Sequence, residues 1–324
     1  MSPLRHPQAR RQSGAAILMA MLTVVLVATL ASAALWQQWR AVEVESAERS
    51  RMQATWILHG ALDWARLILA EDGRKGGSDN LTEPWAIALE PARLSSFIAA
   101  DRNDTQTPDP SMDAFLSGQM SDLQARFNVR NLVADGKVHA PSLAVLVRLF
   151  ALLDLPEQQA QVLAKDYLRA HLAAASANGD PQAALLPQDI EQLRWLGLDG
   201  AAIDKLRPYI TLLPESAPIN VNTAPEVVLR AAIPALEQSD AQRLLLLRSK
   251  KPWENVTEFR QAAQLPTATP EAELFATQTR FFEIRGSLQI QGRTVHEISV
   301  VQRENQKVKT LWRTRSVALA RTLQ

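Results

Sequence analysis

The sequence predicts an α+β protein, and three observations carry that reading. An uncharged apolar run, Ala15 to Trp39, leads without a break into a charged, helix-forming stretch. From Pro141 to about Arg260 the apolar residues recur at helical spacing. Beyond Phe281 the pattern changes to short strands separated by tight polar turns.

The N-terminal element comes first. Arg5, Arg10 and Arg11 precede the apolar run, and the next charged residue is Arg40. A helix of that length can cross a hydrocarbon core about 30 Å thick, because each residue rises about 1.5 Å. The arginines place the N-terminus in the cytoplasm and the rest of the chain on the far side. Three readings compete. A secretory signal peptide could be cut at the A-x-A-like Ala31-Ser32-Ala33. A plain single-span anchor needs no cleavage. A prepilin-like leader would end at Gly14 and leave the apolar helix on the mature chain.

The residues after the span favour the third reading. Glu43, Glu45, Glu48, Arg49 and Arg51 lie in a stretch free of Gly and Pro. Then Ala54, Ile57, Leu58, Ala61, Leu62, Ala65, Ile68 and Leu69 form one apolar face. One helix is therefore expected from Ala15 to about Asp72, a rod of roughly 80 Å. Trp36 and Trp39 fall where an interfacial aromatic belt belongs. Gly73-Arg74-Lys75-Gly76-Gly77-Ser78 should end it.

A polar loop follows at Asp101 to Pro110, and Ser121 to Leu132 reads as a strand running into a turn. Helices are expected over Leu143–Leu153, Glu157–Leu172, Pro187–Leu196, Ala224–Ala232 and Ser239–Arg248. Pro214-Glu215-Ser216-Ala217-Pro218 divides this region, and Gln264 to Pro270 closes it. Three strands complete the chain, Phe281–Ile290, Val295–Val301 and Lys307–Arg313. Turns are expected at Gln291-Gly292-Arg293 and Glu304-Asn305-Gln306. The segments around Asn128 and around Asn220, Asn222 and Thr223 echo one another, each preceding a helix pair, and read as N-caps.

Composition narrows the chemistry. Lys+Arg 35 against Asp+Glu 34 gives a net charge of +1, so no global field draws the chain to nucleic acid or anionic lipid. With no cysteine, thiol catalysis, disulfides and thiolate metal sites are excluded. The five histidines, His6, His59, His139, His171 and His296, lack metal-ligand spacing, and no G-x-S-x-G, Walker or H-E-x-x-H pattern occurs. No enzyme activity is expected.

Taken in order, several segments resemble one family. They are the Gly14 context, Gly60-Ala61-Leu62-Asp63-Trp64-Ala65, Glu83-Pro84-Trp85, Asp122 to Asn128, Pro208 to Pro214, and above all Ile219-Asn220-Val221-Asn222-Thr223-Ala224. The chain is similar to the type II secretion system minor pseudopilin K family. The resemblance implies a type IV pilin-like long N-terminal helix plus antiparallel sheet, with a large inserted α-helical domain.

The implied boundaries are a leader at 1–14, a transmembrane half-helix at 15–39 and an amphipathic half at 40–72. The pilin-like body follows at 73–127 and 278–324, with the inserted domain at 128–277 in two hairpin-type halves split near 214–218. Prepilin peptidase would cut between Gly14 and Ala15 and methylate the Ala15 amine. The implied place is the inner membrane, single-pass, with a periplasmic body at the tip of a pseudopilus. Minor pseudopilins I and J would be its partners, with H and the major pseudopilin G below.

Most pilin-like subunits carry glutamate as the fifth mature residue, where it meets a neighbour's N-terminal amine. Here that residue is Met19. A tip subunit can forgo that contact more easily than a repeating one, and it avoids burying a charge in lipid. The chain also departs from the family. The resemblance implies calcium held by an acidic loop after Asp166-Tyr167, yet Arg169 to Asp180 contains one carboxylate. The expectation is therefore no cofactor and no assigned metal ligands, with calcium left open by the resemblance and disfavoured by the missing acidic loop. Ala125 and Arg130 replace the usual glycine and asparagine.

An alternative is a membrane-anchored DNA-uptake protein, because Ile219 to Arg260 resembles the helix-hairpin-helix segment of competence proteins. Arg243, Arg248, Lys250 and Lys251 would supply charge. That motif offers glycine amides to a phosphate, whereas Pro234 to Asp240 has no glycine and carries Glu237 and Asp240. No nucleic-acid partner is expected.

Overall fold

A computed structural model of the chain describes residues 13–94, 114–176, 179–265, 273–290 and 293–319. The polar loop expected at Asp101 to Pro110 and the leader residues 1–12 lie outside the described residues, as do Gln291 and Gly292 of the first expected turn. Two compact units are present, residues 1–57 and 58–324.

Helix α1 runs unbroken over Ser13–Lys75. In the first unit its residues from Ala15 to Trp39 are exposed, and this apolar stretch is long enough to span a membrane. That is the arrangement of a single-pass anchor. In the second unit, Leu58, Leu62, Ala65 and Leu69 are buried, following the predicted three- and four-residue spacing. The helix passes through Gly73, where a stop had been expected, and ends two residues later. Gly76 then takes a left-handed conformation (φ +66°), and its amide bonds back to the Asp72 carbonyl. Gly73 has another reason to be glycine. A Cβ there would collide with the Asn305 carbonyl oxygen, so only glycine lets the helix approach that turn so closely.

The sheet has five strands in the order β1 (Leu89–Arg93), β2 (Ala114–Asp122), β9 (Phe281–Ile290), β10 (Arg293–Glu304) and β11 (Lys307–Leu319), all antiparallel. Pro91 sits in the edge strand β1, where a missing N–H costs least. Side chains alternate across the sheet. Phe282, Ile284 and Val301 pack with Leu62, Ala65, Leu69 and Trp85, while Phe281 and Val300 pack with Leu123, Leu213 and Ala217. The ring of Trp85 meets Phe282 edge-on at 5.1 Å. The last two strands run longer than predicted, because β10 and β11 stay paired from Arg293↔Leu319 to Glu304↔Lys307. Asn305 turns the chain with φ +55°.

β2 and β9 are hydrogen-bonded neighbours, so residues 123–280 leave the sheet at one strand end and return at the adjacent one. The expected strand at Ser121 to Leu132 is corrected here. The strand ends at Asp122, whose side chain accepts from the Gln124 amide and starts a 3-10 turn, Leu123–Ala125. After it come β3 (Phe127–Asn128), a second 3-10 turn (Val129–Leu132), and the short β4 (Val133–Ala134) and β5 (Lys137–Val138).

Helices follow at α2 (Ala140–Leu152), α3 (Glu157–Ala175), α4 (Gly200–Leu206), α5 (Glu226–Ala232), α6 (Gln238–Lys250) and α7 (Val256–Ala262). Three of these, α4, α5 and α7, are only seven residues long, and of the three only α5 was expected from the sequence. The helix expected over Pro187–Leu196 is instead a 3-10 segment, Ile190–Leu196, closed by Gly197 at φ +85°.

The internal echo has a structural counterpart. β3 pairs in parallel with β6 (Ile210–Thr211), and β7 (Ile219–Asn220) pairs in parallel with β8 (Phe275–Ala276). The helices share one core that runs from Phe127 through Leu149, Phe150, Val228 and Leu229 to Phe259 and Phe275. Arg148 ties α2 to α5 by donating to the Ala231 carbonyl at 2.6 Å.

Candidate functional site

The inserted helices meet the sheet at a buried polar joint built around Asp122. This side chain is 4% exposed and accepts four hydrogen bonds. Oδ2 accepts from Asn220 Nδ2 at 2.9 Å and Thr223 Oγ1 at 2.6 Å. Oδ1 accepts from the Gln124 amide at 2.6 Å and Thr279 Oγ1 at 2.7 Å. Burial pushes its pKa up, opposed by the three side-chain donors and the Gln124 amide. One carboxylate thus gathers the end of β2, the start of the second helix pair and the return to β9.

A second group lies beside it. Arg303 on β10 donates from Nη1 to Asp72 Oδ2 and from Nη2 to Asp79 Oδ1, both at 2.5 Å. Nη2 also reaches the Thr279 carbonyl at 2.9 Å, and the guanidinium stands 5.0 Å from the Phe282 ring. Asp79 Oδ2 accepts from the Thr279 amide at 2.7 Å. Burial raises the Asp79 carboxyl to about 7, against the lowering influence of Arg303 and the Thr279 amide. Glu83, also raised by burial, accepts from Trp85 Nε1 at 2.7 Å and from the Asn80 amide at 3.0 Å. The two groups touch, since Asn220 Nδ2 also donates to the Asp79 carbonyl at 3.1 Å. The end of α1, β2, β9, β10 and the inserted helices are locked by one network.

The predicted motif residues are placed as follows. Asn220, Asn222 and Thr223 are buried at this joint, and their expected role as helix N-caps is corrected. The N-cap of α5 is Pro225, with no side-chain bond. Buried amides must satisfy both donor and acceptor atoms, so they cross-link distant backbone instead. Asn222 clasps residue 253 from both sides, donating to the Trp253 carbonyl at 2.9 Å and accepting from its amide at 3.0 Å. Asn128 sits apart from them. It caps its 3-10 turn through the Arg130 amide, donates to the Glu215 carbonyl at 2.8 Å and accepts from the Leu213 amide at 3.1 Å. Gly14, Ala15 and Met19 lie in the first unit on α1, where Ala15 and Met19 are exposed.

Asp79, Thr279 and Arg303 escaped the sequence reading. A signal for Arg303 existed, because it lies two residues beyond buried Val301 and so shares the inward phase of β10.

The helical hairpin expected from the DNA-uptake resemblance is present as α5 and α6. Two of its four cations are spent on the protein itself. Arg248 donates to the Val221 and Ala224 carbonyls at 2.9 and 2.6 Å, and burial pulls it down to about 10. Arg243 bonds the Ala262 carbonyl and pairs with Asp240. Ala235, not glycine, takes the left-handed turn position at φ +57°.

Comparison with known proteins identifies the joint's setting. Two family models, both described as type II secretion system protein K, match residues 125–215 and 219–278. A type II secretion system protein K of Pseudomonas aeruginosa is 27% identical over 319 residues, covering 91% of this chain and 90% of its own. That of Pectobacterium carotovorum is 25% identical over 332 residues (94% and 96%), and that of Klebsiella pneumoniae 27% over 337 (90% and 96%). In fold, the chain is similar to one in the crystal structure of the GspK–GspI–GspJ complex from the enterotoxigenic Escherichia coli type 2 secretion system. The TM-score there is 0.64 at 20% identity, covering 83% of this chain and 98% of that one. The long helix, the antiparallel sheet, the helices set between neighbouring strands and these matches together make this chain a member of the type II secretion system protein K family.

Proposed function

We propose that this chain is a minor pseudopilin that caps the tip of a periplasmic pseudopilus and helps start its assembly, for export of folded proteins across the outer membrane. The observation that carries this is α1. One helix is apolar and exposed from Ala15 to Trp39, and then turns a core-forming face to the sheet from Leu58 to Leu69. Such an element serves an assembly that is built in a membrane and projects from it. Arg5, Arg10 and Arg11 favour an N-terminus on the cytoplasmic side of the inner membrane. Met19 favours the tip, since the chain lacks the carboxylate by which a repeating subunit adds below another. The protein acts by assembly and catalyses no reaction.

Its partners in this reading are the minor pseudopilins I and J, with H and the major pseudopilin G beneath. Support comes from the GspK–GspI–GspJ complex to which the fold is similar. The test is co-purification of the detergent-solubilised full chain with I and J. Retention of both through gel filtration is the expected result, and an I–J pair that forms while leaving this chain behind would overturn the proposal.

Processing is a separate expectation. Prepilin peptidase cuts between Gly14 and Ala15 and methylates the Ala15 amine, so N-terminal sequencing should begin at methylated Ala15. Gly14→Ala should leave the precursor uncut and reduce secretion to background. A mature chain starting at Ala34 would establish a cleaved secretory signal instead.

A further inference from the structure

The fold family implies calcium, and among the described residues the donor atoms do not fit it. Calcium takes about six to eight oxygens at roughly 2.3–2.6 Å, mostly from carboxylates and carbonyls. In the helical region the expected acidic loop offers only Asp180. Its Oδ2 lies 2.6 Å from Arg169 Nε and 2.5 Å from Arg169 Nη2, and its Oδ1 accepts from the Gln182 amide at 2.8 Å. The Gln182 amide first, and Arg169 after it, hold the carboxyl below its usual range. A single carboxylate already committed in this way cannot assemble an oxygen cage.

Among the described residues, one grouping of three carboxylates brings its oxygens within 4.8 Å of one another: Asp72, Asp79 and Glu83. It already contains a cation. Arg303 reaches Asp72 and Asp79 at 2.5 Å each, and its side chain is 9% exposed. The remaining Asp79 oxygen faces the Thr279 amide, and Glu83 Oε2 faces the Trp85 indole and the Asn80 amide. A divalent ion placed there would meet a guanidinium of like charge and N–H groups aimed at the same lone pairs. Displacing Arg303 would strand a buried cation beside Phe282.

We propose that this protein folds and is stabilised without calcium, because its own guanidinium groups, Arg303 at the joint and Arg169 in the helical region, neutralise the carboxylates that could otherwise recruit the ion. The two contribute unequally. The Arg169–Asp180 pair is half exposed and only keeps Asp180 occupied, whereas Arg303 is built into the network.

The experiment uses the full chain in detergent, stripped with EGTA. Equilibrium dialysis against radioactive calcium measures binding, and thermal unfolding is followed by intrinsic tryptophan fluorescence with excess EGTA or millimolar calcium chloride. The expected result is binding far below one ion per chain and a Tm that is the same in both buffers to within about 1 °C. A site filled a hundredfold above its Kd would raise Tm by roughly 4–5 °C in a chain of this size. Either stoichiometric binding or a calcium-dependent rise of several degrees would overturn the proposal.

Discussion

Replacing Asp122 by alanine should destabilise the folded protein by about 3–5 kcal/mol, the range for removing one partner of a buried, charge-assisted network. The effect is large because the loss is one-sided. Asn220 Nδ2, the Thr223 and Thr279 hydroxyls and the Gln124 amide all point at the two oxygens that disappear. Asn220 keeps the Asp79 carbonyl, but the 3-10 turn after β2 loses its cap and Thr223 its best acceptor. Asp122→Asn keeps the volume and one carbonyl oxygen, while its NH₂ would oppose two donors. It should cost about 2 kcal/mol or more. Urea unfolding followed by tryptophan fluorescence measures both. A change below about 1 kcal/mol for the alanine variant would mean that the joint is not held in this way.

The second large effect is expected at Arg303. Arg303→Met preserves the aliphatic stem against Phe282 but leaves Asp72 and Asp79 without their cation, at a cost of about 3–5 kcal/mol. This defect should depend on pH. Asp79 in the folded protein titrates near 7, above the roughly 4 of an unfolded aspartate, so the native state holds the extra proton. Its contribution to stability therefore falls as pH rises from about 4 to about 7 and is level above that. Without Arg303 its lowering influence is lost, only that of the Thr279 amide remains, and the native pKa goes higher still. The variant keeps losing stability above pH 7 where the parent does not, so the gap between them widens from pH 7 to pH 9. Urea midpoints across that range measure it, and a gap that is constant or narrows would sink the assignment.

Much of the fold was legible from periodicity. The long helix was read through to its end within three residues, because a 3.6-residue apolar face sustained past a membrane-length run has no rival interpretation. Helices α2, α3 and α6 were found for the same reason, and the three final strands by the change to short strand-forming runs between polar turns. Errors clustered where short elements answer to distant partners. Ser121 to Leu132 looked extended, yet it is two 3-10 turns and a two-residue parallel bridge, set by Asp122, by Asn128 and by Ile210. Ile190–Leu196 carries a helical pattern but closes as 3-10, with Leu193 and Leu196 reaching the core.

The joint was half legible. Asn220, Asn222 and Thr223 stood out as a motif, but polar residues before a helix suggest N-caps to any local reading. Only the folded chain shows that the residues they serve lie far away, at Asp79, Asp122 and Trp253.

By itself, the sequence determined the membrane-length helix with its cationic flank, the Met19 position, the helical middle and the strand-rich end. These rest on interactions between residues a few positions apart, where spacing and charge report the physics directly. The family resemblance implied a helical insertion at 128–277, but tertiary structure alone decided that the strands flanking it are hydrogen-bonded neighbours, and that Asp122 and Arg303 hold that junction. The donors and acceptors involved are up to 231 residues apart, as in the pair Arg303–Asp72. What brings them together is the need to satisfy every buried polar atom once the core has formed, and no local pattern encodes that need.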